Sequence, residues 1–142
     1  MDLLFICKDA LANSIVDNLI TAMEAKNEGA DVGVLFTQAA LVALTGETIE
    51  WSSALTGQFI RLKMAKAGAN IDLPIAGSGQ GVQIDTRRLV VKAKEAGIPM
   101  YASPTWTKLA GLEGQLPAEL TEIDSTTVLK TIREAKTVVG SL

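Results

Sequence analysis

Ala96-Gly97-Ile98-Pro99-Met100-Tyr101-Ala102-Ser103-Pro104-Thr105-Trp106-Thr107-Lys108-Leu109-Ala110-Gly111-Leu112 holds the end of one helix, a strand and the start of the next helix. Gly97 is a helix stop, and Ile98 to Ala102 is a short apolar run of the kind that forms a buried strand. Ser103-Pro104 is a helix start, in which serine caps free N–H groups and proline pre-sets the first helical φ. Residue 103 therefore stands at the carboxyl end of a strand and the amino end of a helix. In open α/β sheets that edge is where ligands bind and where helix-terminal N–H groups stabilise anions.

The same alternation extends in both directions. Leu3-Leu4-Phe5-Ile6-Cys7, ended by Lys8-Asp9, is a continuous apolar run and predicts a parallel strand buried on both faces, at the centre of the sheet. From Ala10 to Lys26, Ala12, Ile15, Val16, Leu19, Ile20 and Met23 recur at helical spacing, with Asn13, Asp17, Asn18 and Glu24 off that face. Asp31 to Phe36 reads as a second strand, and Thr37 as the cap of a short helix that Gly46 ends. In the less regular segment that follows, Leu55, Phe59, Ile60, Leu62 and Met64 imply a helix to about Ala67, stopped near Gly68.

Ile71 to Ile75, broken by Pro74, reads as an edge strand or extended loop, and Ala76 to Gly81 as a turn-rich loop. Asp85 caps a helix with Leu89, Val90 and Ala93 inward and Arg87, Arg88, Lys92 and Lys94 exposed. Beyond Leu112 a polar loop leads to a short strand from Leu120 to Ile123. Ser125 then caps a last helix with Val128, Leu129, Ile132, Ala135 and Val139 on one face. The pattern predicts one domain over 1–142, a three-layer α/β/α, flavodoxin-like fold with a mostly parallel sheet of about five strands.

Composition excludes several function classes. A formal charge of −3, with no cationic spot denser than Arg87-Arg88, argues against a nucleic-acid partner. No apolar run is long enough to span a bilayer and no signal peptide is visible, so the expected location is cytoplasmic, with no membrane partner. A content of 48% hydrophobic against 20% charged residues points to subunit contacts and a homo-oligomer. The absence of histidine removes Ser-His and Cys-His pairs and most transition-metal sites, and a single cysteine excludes an internal disulfide or thiolate cluster. No metal site is expected. Nor is a cofactor: Gly77-Ser78-Gly79-Gln80-Gly81 lacks Walker spacing, its lysine and the dinucleotide fingerprint.

Few residues remain to carry chemistry. Cys7 is the one strong nucleophile; beside Lys8 and a helix start its pKa would fall, which suits a persulfide carrier, while the alternative is a small buried hydrophobe. Ser103 has no histidine base, its nearest lysine being Lys108, and reads as a helix cap or a ligand contact. Thr37 and Gln38 would share a binding rim with Cys7, Lys8 and Ser103 in a doubly wound sheet. Trp106 would wall a pocket or subunit interface, or pack in the core. Trp51 reads as a partly exposed anchor, and Glu47, Glu50, Glu122 and Asp124 as solvated carboxylates rather than an acid–base pair.

The opening stretch resembles the DsrE/DsrF-like (DsrEFH-like) proteins, whose pattern is Gly-(Ile/Val)-x-(Met/Ile/Phe)-Tyr-Ala-Cys, a few helical residues and Gly-(Ile/Leu). Gly97, Met100, Tyr101, Ala102, Gly111 and Leu112 match, and Ser103 stands in the place of the cysteine. The resemblance implies a small sulfur-relay or sulfurtransferase-type subunit, a trimer or hexamer, and a sulfur-relay protein as partner. It also implies that thiol chemistry is lost at Ser103 or moved to Cys7. The alternative is a non-catalytic homo-oligomer that binds a small anion or acts as a scaffold.

Overall fold

Leu3–Cys7 forms β1, and Val32–Phe36 forms β2, in parallel register with Leu3 opposite Val32 and Cys7 opposite Phe36. Both are the continuous apolar runs read from the sequence, and all of β2 is buried. The computed structural model describes residues 1–46 and 48–142, so the carboxylate of Glu47 lies outside the described residues. The remaining elements are α1 (Ala12–Asn27), α2 (Gln38–Thr45), α3 (Gln58–Asn70), β3 (Ile75–Ala76), β4 (Gln83–Ile84), α4 (Thr86–Glu95), β5 (Met100–Ala102), α5 (Pro104–Leu109), β6 (Thr121–Glu122), α6 (Ser125–Glu134) and β7 (Thr137–Val139).

The strands β6-β5-β2-β1-β7 make one five-stranded parallel sheet, flanked by helices in a three-layer α/β/α arrangement. The central position belongs to β2, not to β1 as the sequence implied, because β7 returns along the free side of β1. The spacing of apolar residues predicts this stretch as the tail of the final helix. Helical spacing continues by coincidence to Val139, but the helix ends at Glu134 and the β-branched Thr137-Val138-Val139 pairs with Leu3, Leu4 and Phe5.

One face of the sheet carries the main core. Alternate residues Phe5 and Cys7 of β1, Val34 and Phe36 of β2, and Met100 and Ala102 of β5 are packed with Ile15 and Leu19 of α1 and Leu89 and Ala93 of α4. Each large side chain so buried contributes about 1.5–3 kcal/mol. Asn18, read as lying off the apolar face of α1, is fully buried; its Nδ2 donates to the Ser14 carbonyl at 2.8 Å. The amide nitrogen thereby back-bonds within its own helix, while Oδ1 is buried without a partner among the described residues.

A peripheral unit interrupts the crossover from β2 to β5. Helix α3 packs on the antiparallel hairpin of β3 and β4, whose loop is the glycine-rich 77–81 segment. Gly68 does not stop α3 but sits inside it. A β-carbon there would lie 3.2 Å from the side chain of Ile84, so glycine is what allows helix and hairpin to approach.

Candidate functional site

The strand tips at the carboxyl edge come together as the sequence implied. The Thr37 N–H donates to the Cys7 carbonyl at 3.0 Å, the Ala40 N–H to Lys8 at 3.1 Å, and the Ser103 N–H to Phe36 at 3.0 Å. Cys7, Lys8, Thr37, Gln38, Ser103 and Trp106 thus belong to one edge, on the tips of β1, β2 and β5. Thr37 is the N-cap of α2, though its side chain makes no capping bond, and Gln38 follows in a left-handed conformation with φ 51°. Lys8 and Gln38 are exposed and Trp106 is half-buried against the core.

The two hydroxyl and thiol candidates are both withdrawn from solvent. Cys7 is 0% exposed among core side chains. Burial, followed by the negative charge of Asp9, pushes its thiol up to about 12. The charge of Lys8 and the helix dipole, expected to lower that value, are overridden because the sulfur lies on the packed face of β1. Ser103 is 8% exposed; its hydroxyl accepts the Trp106 N–H at 3.4 Å, and its carbonyl accepts the Thr107 hydroxyl at 2.7 Å. The residue is a helix cap, as its place before Pro104 predicts.

A strap also crosses this edge. The Ala12 N–H at the start of α1 donates to the Glu50 carbonyl at 2.7 Å, and Asn13 Oδ1 accepts the Ser52 N–H at 3.0 Å. Ile49 and Trp51 pack against the core from the same segment. The mouth of α1 is therefore occupied by the protein's own backbone.

An open cleft lies one strand further along. A cavity of about 600 Å³ opens at the carboxyl ends of β5 and β6, between α5 and the start of α6, and none of the six sequence-derived residues is among its walls. Its polar lining includes Lys108, Glu113, Glu122 and Asp124, with Ala102 and Ile123 apolar. Asp124, rather than the expected Ser125, caps α6: its Oδ1 accepts the Thr127 N–H at 2.7 Å. That bond holds the Asp124 carboxyl below its ordinary value, so the carboxylate persists at neutral pH.

The volume falls in the range of small-ligand sites. With three carboxylates against Lys108, the cleft is wide-mouthed and carries a net negative charge. Glu122 and Asp124 are exposed, as the sequence reading expects, and they border the cleft because β6 lies beside β5. The signal available was the strand-to-helix switch at Ile123 to Ser125, the same grammar as Ala102 to Pro104.

No helix among the described residues is long and apolar enough to cross a membrane. No protein-family model matches the sequence, and no curated protein matches it. Among solved structures, the fold is similar to the crystal structure of the ychN protein from E. coli, with a TM-score of 0.63 at 13% sequence identity. The match covers 99% of this chain and 98% of that one, and at such low identity it establishes the three-layer architecture of the whole chain as a known fold.

Proposed function

We propose that this chain is a cytoplasmic DsrE/DsrF-like subunit of intracellular sulfur relay that has lost the nucleophile and serves as a binding or scaffold component of a homo-oligomer. The observation that carries this reading is the state of the two candidate groups. The Ser103 hydroxyl is committed to the Trp106 N–H, and the Cys7 sulfur is sealed in the core. A thiol carrier needs an accessible thiolate, and neither position supplies one. The open cleft beside β5 offers a place to bind without forming a covalent bond.

Support for assembly comes from apolar side chains left at the surface: Phe59 at 74%, Leu109 at 68% and Leu129 at 56% exposure. Single exposed apolar residues are ordinary, but a chain this rich in them gains by covering them with further copies. A trimer or hexamer is the expected state, and its partner a sulfur-relay protein that docks at the carboxyl edge.

The test is exposure of native protein to a sulfane-sulfur donor and to iodoacetamide at neutral pH, read by intact mass. Neither a persulfide nor an alkylated form is expected until denaturant is added. Rapid native loading at Cys7 would overturn the reading in favour of a carrier. Light scattering in solution checks assembly, and a monomer at micromolar concentration would remove the scaffold role.

A further inference from the structure

A second hollow, of about 200 Å³, lies away from the cleft, where the strap meets the hairpin of β3 and β4 and the start of α4. Thr48 and Trp51 of the strap, Gln83 of β4, and Asp85, Thr86 and Arg87 line it. The polar side chains here are the donors Trp51 and Arg87, the two-way groups of Thr48, Gln83 and Thr86, and the carboxylate of Asp85. In the first turn of α4, the Arg88 N–H is taken by Asp85 Oδ1 at 3.0 Å and the Leu89 N–H by the Asp85 carbonyl at 3.0 Å. The N–H groups of Thr86 and Arg87 have no backbone acceptor among the described residues, as expected at a helix start.

The side chain of Thr86 is the telling one. It is only 7% exposed, lines the hollow, and its hydroxyl has no hydrogen-bond partner among the described residues. The hydroxyl oxygen is not sealed from solvent, so it takes its partner from water or from whatever displaces water in the hollow. The guanidinium of Arg87 is held nearby by donating through Nη1 to the Leu44 carbonyl at 3.3 Å, which leaves its remaining N–H groups available. Asp85, the one carboxylate among the described lining residues, is engaged with the Arg88 N–H, and the positive end of the helix offsets its charge. Trp51 closes one side with an apolar plane.

We infer that this hollow is a binding site for a small oxyanion of the phosphate or sulfate type, held by the Thr86 hydroxyl, the first-turn N–H groups of α4 and Arg87. The volume admits such a group with little attached to it, so the free ion or a slim terminal group fits and a nucleotide does not. This hollow shares no lining residue with the larger cleft.

Trp51 provides the readout. In a Trp106→Phe background it is the only tryptophan, and inorganic phosphate is titrated against it at constant ionic strength, with chloride as the control. A saturable change in emission is expected with phosphate and not with chloride. Thr86→Val, which keeps the shape and removes the hydroxyl, and Arg87→Gln should each weaken binding by about fivefold or more. Lys94→Gln, at the far end of α4, removes the same charge as Arg87→Gln and should leave affinity unchanged. Calorimetric titration of the unmodified chain repeats the measurement without the tryptophan replacement. No saturable phosphate response in either experiment, unaltered affinity in both site variants, or equal weakening by Lys94→Gln would overturn the inference.

Discussion

The hydroxyl of Ser103 accepts the backbone N–H of Trp106 at 3.4 Å, which makes the residue at the tip of β5 a structural cap. Replacing it by alanine removes that acceptor while leaving Pro104 to start the helix, and should cost about 1 kcal/mol of stability. Urea denaturation measures the loss. Ser103→Cys restores the thiol that the resemblance implies, at a position less enclosed than Cys7. Its alkylation by iodoacetamide under native conditions should outpace that of Cys7, read by peptide mass after digestion. Equal protection of both thiols would mean that the strand tip is shut by more than the cap.

The Cys7 thiol yields a prediction about alkaline stability. Folding raises it from 9.0 to about 12, chiefly by burial. A group whose pKa is higher in the folded state contributes stability that is complete below the unfolded value and is lost as pH rises toward the folded one. Between about pH 9 and pH 12 the unfolded chain gives up this proton while the folded chain keeps it, so stability falls. In Cys7→Ala the coupling is absent. The stability advantage of the natural protein over that variant should shrink steadily as pH is raised from 8 to about 10.5 in urea titrations. A constant difference would place the sulfur in contact with water.

Much of the fold was legible because its signals are local. Leu3–Cys7 and Asp31–Phe36 declare strands by unbroken apolar character, and Asp85 and Ser103 declare helix starts through side chains that act within three residues. The errors fall where the deciding partner is remote in sequence. Thr137–Val139 becomes a strand through pairing with β1, more than a hundred residues away, and its β-branched run competes locally with a helical spacing that reaches Val139. Gly68 is buried by Ile84, and Cys7 is sealed by the packing of the main core. The cleft was missed for the same reason: its walls come from β5, α5, β6 and α6, and only the pairing of β5 with β6 brings Lys108 near Glu122.

Gly77 opens the hairpin loop at φ +80°, and a β-carbon there would lie 2.5 Å from the carbonyl oxygen of Gly81. The obstacle is backbone, which cannot rotate aside as a side chain can. Gly77→Ala therefore combines left-handed strain of about 1 kcal/mol with a steric clash. The damage should be confined to β3, β4 and the packing of α3. Hydrogen exchange should accelerate at the paired residues Ile75 and Ile84 by about tenfold or more, with the amides of β1 and β2 unaffected. Uniform acceleration across the chain would show that the hairpin is part of the main cooperative unit.

Asp2 and Lys136 form a clasp that joins the starts of β1 and β7. The Asp31 N–H donates to Asp2 Oδ2 at 2.8 Å, and Lys136 Nζ lies 2.9 Å from Asp2 Oδ1. The Lys136 N–H also donates to the Met1 carbonyl at 3.1 Å and the Thr137 N–H to Asp2 at 3.0 Å, so side chains and backbone register the last strand together. The Asp31 N–H, and then Lys136, hold the Asp2 carboxyl below its ordinary 3.8. A lowered carboxyl contributes stability that is present above the unfolded value and disappears as pH falls through the folded one. Asp2→Asn should accordingly destabilise the protein at pH 7, with the difference from the natural protein closing as pH drops below about 4. High salt should narrow the part due to Lys136 and leave the part due to the Asp31 N–H, since screening acts on the exposed ion pair. Because β7 has few other anchors, exchange at the Thr137 and Val139 amides should respond to Asp2→Asn more than exchange anywhere in β2.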